Sequence, residues 1–420
     1  MDLRNMLNDS DDAPPPQKRR ASELSPETTK RKKMLPKVRK DRVPPPWARR
    51  GAPPPVEELR KTAPPNQSNG NRKPSPPQAM IFPEWSFIGA PAFDDMSRIV
   101  SNFIFDVFVL NPNYSALHGN GNSMEIEAKF GQIINKDTDQ RVYMPGIETE
   151  TVFNLTSLDP EIEQYWTNQY AARGVQKSPF CPIRFENGVE PAWFNSTHAW
   201  FAEKIQEGRA KGRAPIESRL VATQDTSYDL TDHMISRLPA WITKLAGPDL
   251  KKQRLRVRKT TNHEGLMTES IIKVRVADLY IHFPAAPFDV RLSINVEHNF
   301  PFQQMVQHLK IATERDGSSI PVRCKDRISY IHQDIRADLT RVQVKTNDES
   351  IHRPRLGWTG PNGQPFPVQD YQIEIELNPT TTLVQGVAAH NGDKNIYEET
   401  VAAFVNNIRY LARGVQPKPH

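Results

Sequence analysis

The chain has 420 residues, a formal net charge of +6 and two cysteines, Cys181 and Cys324, which excludes a disulfide framework and a cysteine-rich zinc site and suits the inside of a cell. No apolar run approaches the about 18 residues of a membrane-spanning helix, and no secretory signal is read at the start. Residues 1–80 hold 18 Lys+Arg against 9 Asp+Glu, which leaves 37 against 40 for the remainder, so net charge does not mark the rest of the chain as a nucleic-acid binder.

Residues 1–80 also contain 16 of the 38 prolines and few large apolar side chains. Such a segment buries too little surface to offset chain entropy and is expected to be a disordered tail. Lys18-Arg19-Arg20 and Lys30-Arg31-Lys32-Lys33 have the spacing of a bipartite nuclear import signal, extended by Lys37, Arg39, Lys40 and Arg42. The alternative is a generic solvated basic tail. Next comes Pro44-Pro45-Pro46-Trp47-Ala48-Arg49-Arg50. Trp47 is costly to leave in water, aromatic anchors are common in partner-binding peptides, and flanking prolines favour an extended docking conformation. Partner docking through this segment is set against chance placement.

The folded domain is expected over residues 81–415. Phe93 to Leu110 places Met96, Ile99, Val100, Phe103, Ile104, Val107 and Phe108 at helical spacing, with Asp94 or Asp95 at the start and Asn111-Pro112 at the end. In Ser123 to Gly131, Glu125, Glu127 and Lys129 alternate with Met124, Ile126, Ala128 and Phe130. As a strand, this segment has one charged and one apolar face. Pro191 to Gly212 reads as a helix with Pro191 in its first turn and its aromatics in the core. His233 to Leu245 reads as a helix that Pro239 breaks or kinks. Strands follow: Arg254, Arg256 and Arg258 against Leu255 and Val257; Glu269 to Leu279; Asp289 to Glu297; Arg323 to Arg327; and Asp334 to Val344. A Pro/Gly-rich loop over 353–370 leads to Tyr371 to Asn378, where Glu374 and Glu376 alternate with Ile373, Ile375 and Leu377. Tyr397 to Leu411 closes as an amphipathic helix.

The charged strand faces admit two readings. In an ordinary half-buried sheet they would meet water. Yet they hold period-two arginines and paired carboxylates, where a solvated face usually shows Thr, Ser, Lys and Glu. A closed barrel with a polar interior and a helix-covered exterior accounts for them better. Carboxylates brought together need a cation, and oxygen ligands favour Mg²⁺ or Mn²⁺. Arginines and lysines nearby suit a polyphosphate. Metal and polyphosphate in one cavity imply phosphoryl transfer. There is no G-x-x-x-x-G-K-[ST] loop, and neither cysteine begins a C-x₅-R signature, since Asn187 and Tyr330 stand where arginine is needed.

The E-x-E-x-K at Glu125, Glu127 and Lys129 resembles the opening strand of the triphosphate tunnel metalloenzymes. In order, S-M-E-I-E-A-K-F-G (123–131), I-I-K-V-R-V-A-D-L (271–279), D-V-R-L-S-I-N-V-E (289–297), C-K-D-R-I-S-Y-I (324–331), R-A-D-L-T (336–340) and Y-Q-I-E-I-E-L (371–377) are similar to the fungal-type RNA 5′-triphosphatases, the mRNA-capping enzyme β subunits. The resemblance implies an α+β fold, an eight-stranded antiparallel barrel packed on helices. It implies metal binding by Glu125, Glu127 and Glu376, with Glu374 and Asp338 holding water ligands and Glu297 orienting the attacking water. Lys325, Arg327 and Arg258 would grip the γ-phosphate, with Arg256 the alternative one pleat away and Lys273 reaching in from the neighbouring strand. Arg323, Arg336 and Thr340 would support the tunnel floor, beside Lys129, Arg291 and Gln372. The family pattern commonly has glutamate at the position of Gln372, which puts a supporting salt bridge in question. The implied reaction is hydrolysis of 5′-triphosphate RNA to a 5′-diphosphate end in the nucleus. The implied partners are a guanylyltransferase, docked through Trp47 and Ala48, and a second copy in a homodimer. An inorganic tripolyphosphatase shares the tunnel and is the alternative within the fold. A non-catalytic phosphate- or RNA-binding module is the alternative outside catalysis.

Overall fold

The computed structural model describes residues 86–89, 92, 94–111, 122–153, 183–246, 255–313, 320–345, 359–360 and 362–415. The basic tail, with Trp47 and Ala48, and Arg254 lie outside the described residues.

Among the described residues twelve strands form one sheet: β1 Asn122–Asn135, β2 Gln140–Arg141, β3 Thr151–Phe153, β4 Ile183–Asn187, β5 Glu217–Asp229, β6 Arg256–Asn262, β7 Met267–His282, β8 Asp289–Asn299, β9 Lys310–Ile311, β10 Val322–His332, β11 Ile335–Lys345 and β12 Val368–Leu377. Eight of them run β10-β11-β12-β1-β8-β7-β6-β5, each antiparallel to the next, and β5 pairs back onto β10. The sheet is therefore a closed eight-stranded antiparallel barrel, which leaves no open edge among those strands. The short strands β2, β3, β4 and β9 extend its margins.

The helices are α1 Asp95–Ile104, α2 Pro191–Ala210, α3 Asp232–Ile235, α4 Ala240–Ala246, α5 Phe302–Met305, α6 Pro379–Asn391 and α7 Tyr397–Arg409. Helix α1 begins at Asp94, whose carboxylate accepts from the Ser97 N–H at 2.9 Å, and winds on as a π-helical turn over Phe105–Val109. Pro239 separates α3 from α4, as expected of a residue with no N–H and a fixed φ. Helix α6 is not signalled by an apolar stripe, and its threonines are weak helix formers. Its ends carry the information instead. Asn378 accepts from the N–H groups of Thr380 and Thr381, Pro379 opens the first turn, and Gly392 ends it at φ 78°. Asn378, assigned by its sequence to the second carboxylate strand, is thus a helix cap, and β12 begins at Val368 inside the expected loop. Likewise Asp334 sits before β11 and accepts from Thr381 Oγ1 at 2.7 Å.

The main hydrophobic core lies outside the barrel. Met124, Ile126, Ala128 and Phe130 of β1, Val290 to Val296 of β8 and Ile373 to Leu377 of β12 send their apolar faces into one cluster with Val100, Phe103, Ile104 and Phe108 from the first helix and its π-turn and Val401, Phe404, Val405 and Ile408 from the last helix. Each large side chain fully buried there contributes about 1.5–3 kcal/mol. Trp193, Phe194 and Phe201 of α2 join the same core, with the Phe201 ring stacked 4.1 Å from that of Tyr330. A second, smaller core of Met234, Ile242, Val257, Ile272, Val274 and Phe302 covers β6 and β7.

One end of the barrel is tied by Asp289, whose carboxylate is fully buried. It accepts from the backbone N–H of Ile133 and Phe283, twice from Arg141, and meets His282 Nδ1 at 2.8 Å. Burial pushes its pKa up, but His282 and Arg141 outweigh that and hold it below the usual carboxylate value. Removing a carboxylate that satisfies so many donors strands them in the interior. Asp289→Ala is expected to lose about 3–5 kcal/mol of stability in urea denaturation at neutral pH. Because the folded pKa is depressed, the loss is present above about pH 4 and narrows as pH falls through the folded value.

Candidate active site in the barrel lumen

Register decides which side chains share the lumen. Along β1 and β8, Ser123 faces Glu297, Glu125 faces Asn295, Glu127 faces Ser293 and Lys129 faces Arg291. On the other flank Glu127 faces Glu376 and Lys129 faces Glu374. Glu376 then faces Arg336, Glu374 faces Asp338, and Gln372 faces Thr340. The strand period of two turns all of these inward, since their apolar neighbours fill the outer core. Strand β7 would lose this phase along its length, but a bulge between Arg275 and Ala277 makes Val276 an extra residue. Lys273 and Arg275 before it, and Asp278 after it, thereby lie on the same face.

The β1 carboxylates share their neighbours. Asn295 Nδ2 donates to Glu125 Oε2 and to Glu127 Oε1, both at 3.0 Å. Lys273 Nζ is in contact with Glu125 Oε2 and stands 3.4 Å from Glu127 Oε2 and 3.8 Å from Glu297 Oε1. Lys129 bridges Glu127 at 3.0 Å and Glu374 at 2.6 Å. Glu127 is 1% exposed, and its Oε2 has ion-pair neighbours but no hydrogen-bond partner. Across the strand, Arg336 meets Glu376 at 2.5 Å and Asp338 at 3.3 Å.

These contacts pull neighbouring acids in opposite directions. Burial raises Glu125, but Lys273 and Lys129 outweigh it and hold the group below its usual value. Glu376 is raised to about 7 by burial and by nearby Glu125, with Arg336 only partly opposing. Glu297 is raised by burial and by Glu125. Burial also raises Glu374, yet Lys129 and Arg327 hold it low. Among the described residues, no three His, Cys, Asp or Glu side chains are gathered as they would be around a metal ion. The basic side chains stand between the acids instead.

A second set of bases lies opposite. Arg327 pairs with Asp338 at 3.2 Å and donates to Thr340 Oγ1 at 3.3 Å. Arg258 reaches Glu269 at 3.2 Å and Glu297 at 3.5 Å. Arg256 instead turns to Asp229 at 3.3 Å and the Thr313 carbonyl at 3.0 Å, so Arg258 is the arginine of that strand that reaches the carboxylate group. Lys325 pairs with Asp225 at 2.6 Å. Burial lowers its pKa to about 8, with Arg258 and Arg323 adding to the effect against Asp225. Arg291 is buried beside Ser293, with its guanidinium 5.0 Å from the Phe185 ring centre. Arg323 is half exposed and only 3.8 Å from Asp370. Gln372 donates to Asp370 at 2.5 Å, so Asp370, two residues away, supplies the carboxylate that Gln372 lacks.

The structure therefore brings Glu125, Glu127, Lys129, Arg258, Lys273, Glu297, Lys325, Arg327, Arg336, Asp338, Thr340, Glu374 and Glu376 into one lumen and leaves Arg256 and Arg323 in pairings away from the carboxylate centre. Sequence reading missed the whole of β5, and with it Asp225, which is buried and accepts from Thr260 Oγ1 at 3.0 Å as well as from Lys325. Its polar-apolar alternation was weak, although Val221, Thr223, Thr226 and Tyr228 carried strand propensity. It also passed over Asn295, a neutral residue with no charge to draw attention. Such a lumen can hold a polyanion on its bases and a hard cation on its acids, and can polarise a water between them.

Comparison with known proteins gives the same architecture. The family model described as "mRNA capping enzyme, beta chain" matches residues 90–417. The mRNA-capping enzyme subunit beta of Schizosaccharomyces pombe is 22% identical over 79% of this chain and 84% of its own length. Those of Candida albicans and Candida glabrata are 26% and 29% identical over 69% and 76% of this chain, which spans only 44% and 42% of them. Among solved structures, the S. pombe Pct1 RNA triphosphatase superposes with a TM-score of 0.53 at 21% identity, over 80% of this chain and 99% of that one. The same protein in complex with the Spt5 CTD gives 0.54 at 22% identity, over 79% and 99%. At that identity the likeness concerns the fold.

The different surroundings of the two arginines on β6 are testable with inorganic tripolyphosphate as a polyanion probe. Arg258→Ala is expected to weaken its binding by about 1.5–3 kcal/mol in calorimetry, the usual worth of a hydrogen bond to a charged group. Arg256→Ala should change it little, and equal losses would remove the distinction.

Proposed function

This chain belongs to the mRNA capping enzyme beta chain family, and from that premise we propose that it hydrolyses the γ-phosphate of 5′-triphosphate-ended RNA, leaving a 5′-diphosphate end and inorganic phosphate. The observation that carries the reading is the closed lumen lined by interleaved carboxylates and bases. Plain anion binding gains nothing from paired carboxylates, whereas phosphoryl transfer uses both charge types.

The carboxylates fit a hard divalent cation, Mg²⁺ or Mn²⁺. Glu125, Glu127 and Glu376 offer oxygens only, and Glu127 Oε2 is buried without a hydrogen bond. When bound, such an ion neutralises charge on the phosphoryl oxygens and polarises them. The protein's own groups do the rest. Arg258, Lys325 and Arg327 hold the γ-phosphate and stabilise charge that grows as the P–O bond breaks. Glu297, raised by burial and by Glu125, orients the attacking water and accepts its proton. Glu374 and Asp338 would hold water beside such an ion, and Arg336 steadies Glu376 and Asp338. Lys129 keeps Glu127 and Glu374 apart as a fixed cation between them.

Around this reaction the chain works in the nucleus, as a homodimer, with a guanylyltransferase docked on the tail through Trp47 and Ala48.

Phosphate release from triphosphate RNA is expected with Mg²⁺ or Mn²⁺ and to vanish in excess chelator. Glu125→Ala should lower it by at least about 10²-fold, the scale on which charge-stabilising groups act, while leaving the circular dichroism melt near wild type. An active Glu125→Ala enzyme would end the ligand assignment, and equal turnover of tripolyphosphate would remove the preference for RNA. A second prediction concerns pH. Lys325 binds phosphate only when protonated, so kcat/KM should fall as pH rises through about 8. Lys325→Arg keeps its charge at higher pH and should move that fall upward.

A further inference from the structure

We propose that Lys273 is a built-in counter-ion for the β1 carboxylates and competes with the divalent cation for them, so that cation and polyanion bind the lumen cooperatively. The inference rests on the metal reading above and adds a role for a side chain that has so far been counted only among the phosphate-facing bases.

Three observations carry it. Lys273 Nζ contacts Glu125 Oε2 and lies within 3.8 Å of both Glu127 and Glu297. Two of these three partners, Glu125 and Glu127, are thus proposed ligands of the cation, and the third, Glu297, is the most distant. Lys129 differs: it touches Glu127 at 3.0 Å but is closer to Glu374, at 2.6 Å, and keeps that partner if a cation takes Glu127. Finally, no metal-like grouping of three acidic side chains exists among the described residues, and Lys273 occupies the space between two of the proposed ligands.

A cation held by Glu125 and Glu127 would set like charges at contact distance from the Lys273 ammonium, which must then swing away. Its stem is flexible and its flank faces the lumen, where it is half-buried. Moved off Glu125 and Glu127, the ammonium needs another anion beside it. A phosphate in the lumen supplies one. Each ligand therefore removes a cost that the other would meet alone, and the coupling acts equally on both affinities.

The test is Mn²⁺ binding to the full chain, read from the electron paramagnetic resonance of free Mn²⁺, in chloride and in sulfate at matched ionic strength. Wild-type affinity for Mn²⁺ should rise about tenfold in sulfate, within the usual range of such couplings. Lys273→Gln should bind Mn²⁺ in chloride about tenfold more tightly than wild type and gain little from sulfate. Unchanged or weaker Mn²⁺ binding by a Lys273→Gln protein with a wild-type melt overturns the proposal. Should that variant not fold, absence of a sulfate effect on the wild type overturns it equally. Full Mn²⁺ affinity in Glu125→Ala would instead sink the metal reading itself.

Discussion

A carboxylate closed off from bulk water needs a cation at contact distance, and the barrel is arranged around meeting that need many times over. Glu374 has Lys129, Glu125 has Lys273, Glu376 has Arg336, Asp338 has Arg327 and Asp225 has Lys325. In each case the partners come from different strands, so each pair forms only when those strands have come together in the sheet. The barrel is inside out by comparison with an ordinary domain. Its charged faces meet in the lumen, and its apolar faces look outward to the helices. Helices α1, α2, α6 and α7 are accordingly part of the core, because without them the outer faces of β1, β8 and β12 would lie in water.

These pairs are poor candidates for the source of stability. At an effective dielectric constant near 20, opposite charges 4 Å apart attract by about 4 kcal/mol. Taking each ion out of water costs several kcal/mol. The two terms nearly cancel, and the net stabilisation comes from the outer cores and from fully satisfied nodes such as Asp289. A lumen held by nearly balanced charges is a useful surface for chemistry.

Backbone details tune which charges meet. The bulge at Val276 carries Lys273 and Asp278 on one face of a strand whose plain alternation would have separated them. Asn295 holds Glu125 and Glu127 at equal distances without adding charge, so it orients the pair and leaves its electrostatics to the lysines. Asp370 compensates for Gln372 from the next inward position of β12. Two arginines on one face of β6 diverge because Asp229 draws Arg256 to one end, while Glu269 and Glu297 draw Arg258 toward the centre.

The sequence by itself determined the alternation of charged and apolar side chains in β1, β8 and β12, the amphipathic helices α1 and α7, and the break at Pro239. Local periods of two and 3.6 residues write such features directly into the chain. Read with the ordered motifs, it also named most of the acids and bases of the lumen, Asp225 excepted. It did not reveal β5, whose mixed face carries a weak pattern, nor α6, whose signal lies in Asn378, Pro379 and Gly392 at its ends. The choice between Arg256 and Arg258 turned on a pleat, and only the folded chain shows their different partners, Asp229 for Arg256 and Glu269 with Glu297 for Arg258. Above all, tertiary structure decided which acid sits beside which base. Lys273 and Glu125 are 148 positions apart in the chain, and no local rule connects them. Successive antiparallel pairing of β1, β8 and β7 brings them together, because it stacks their inward side chains into one layer.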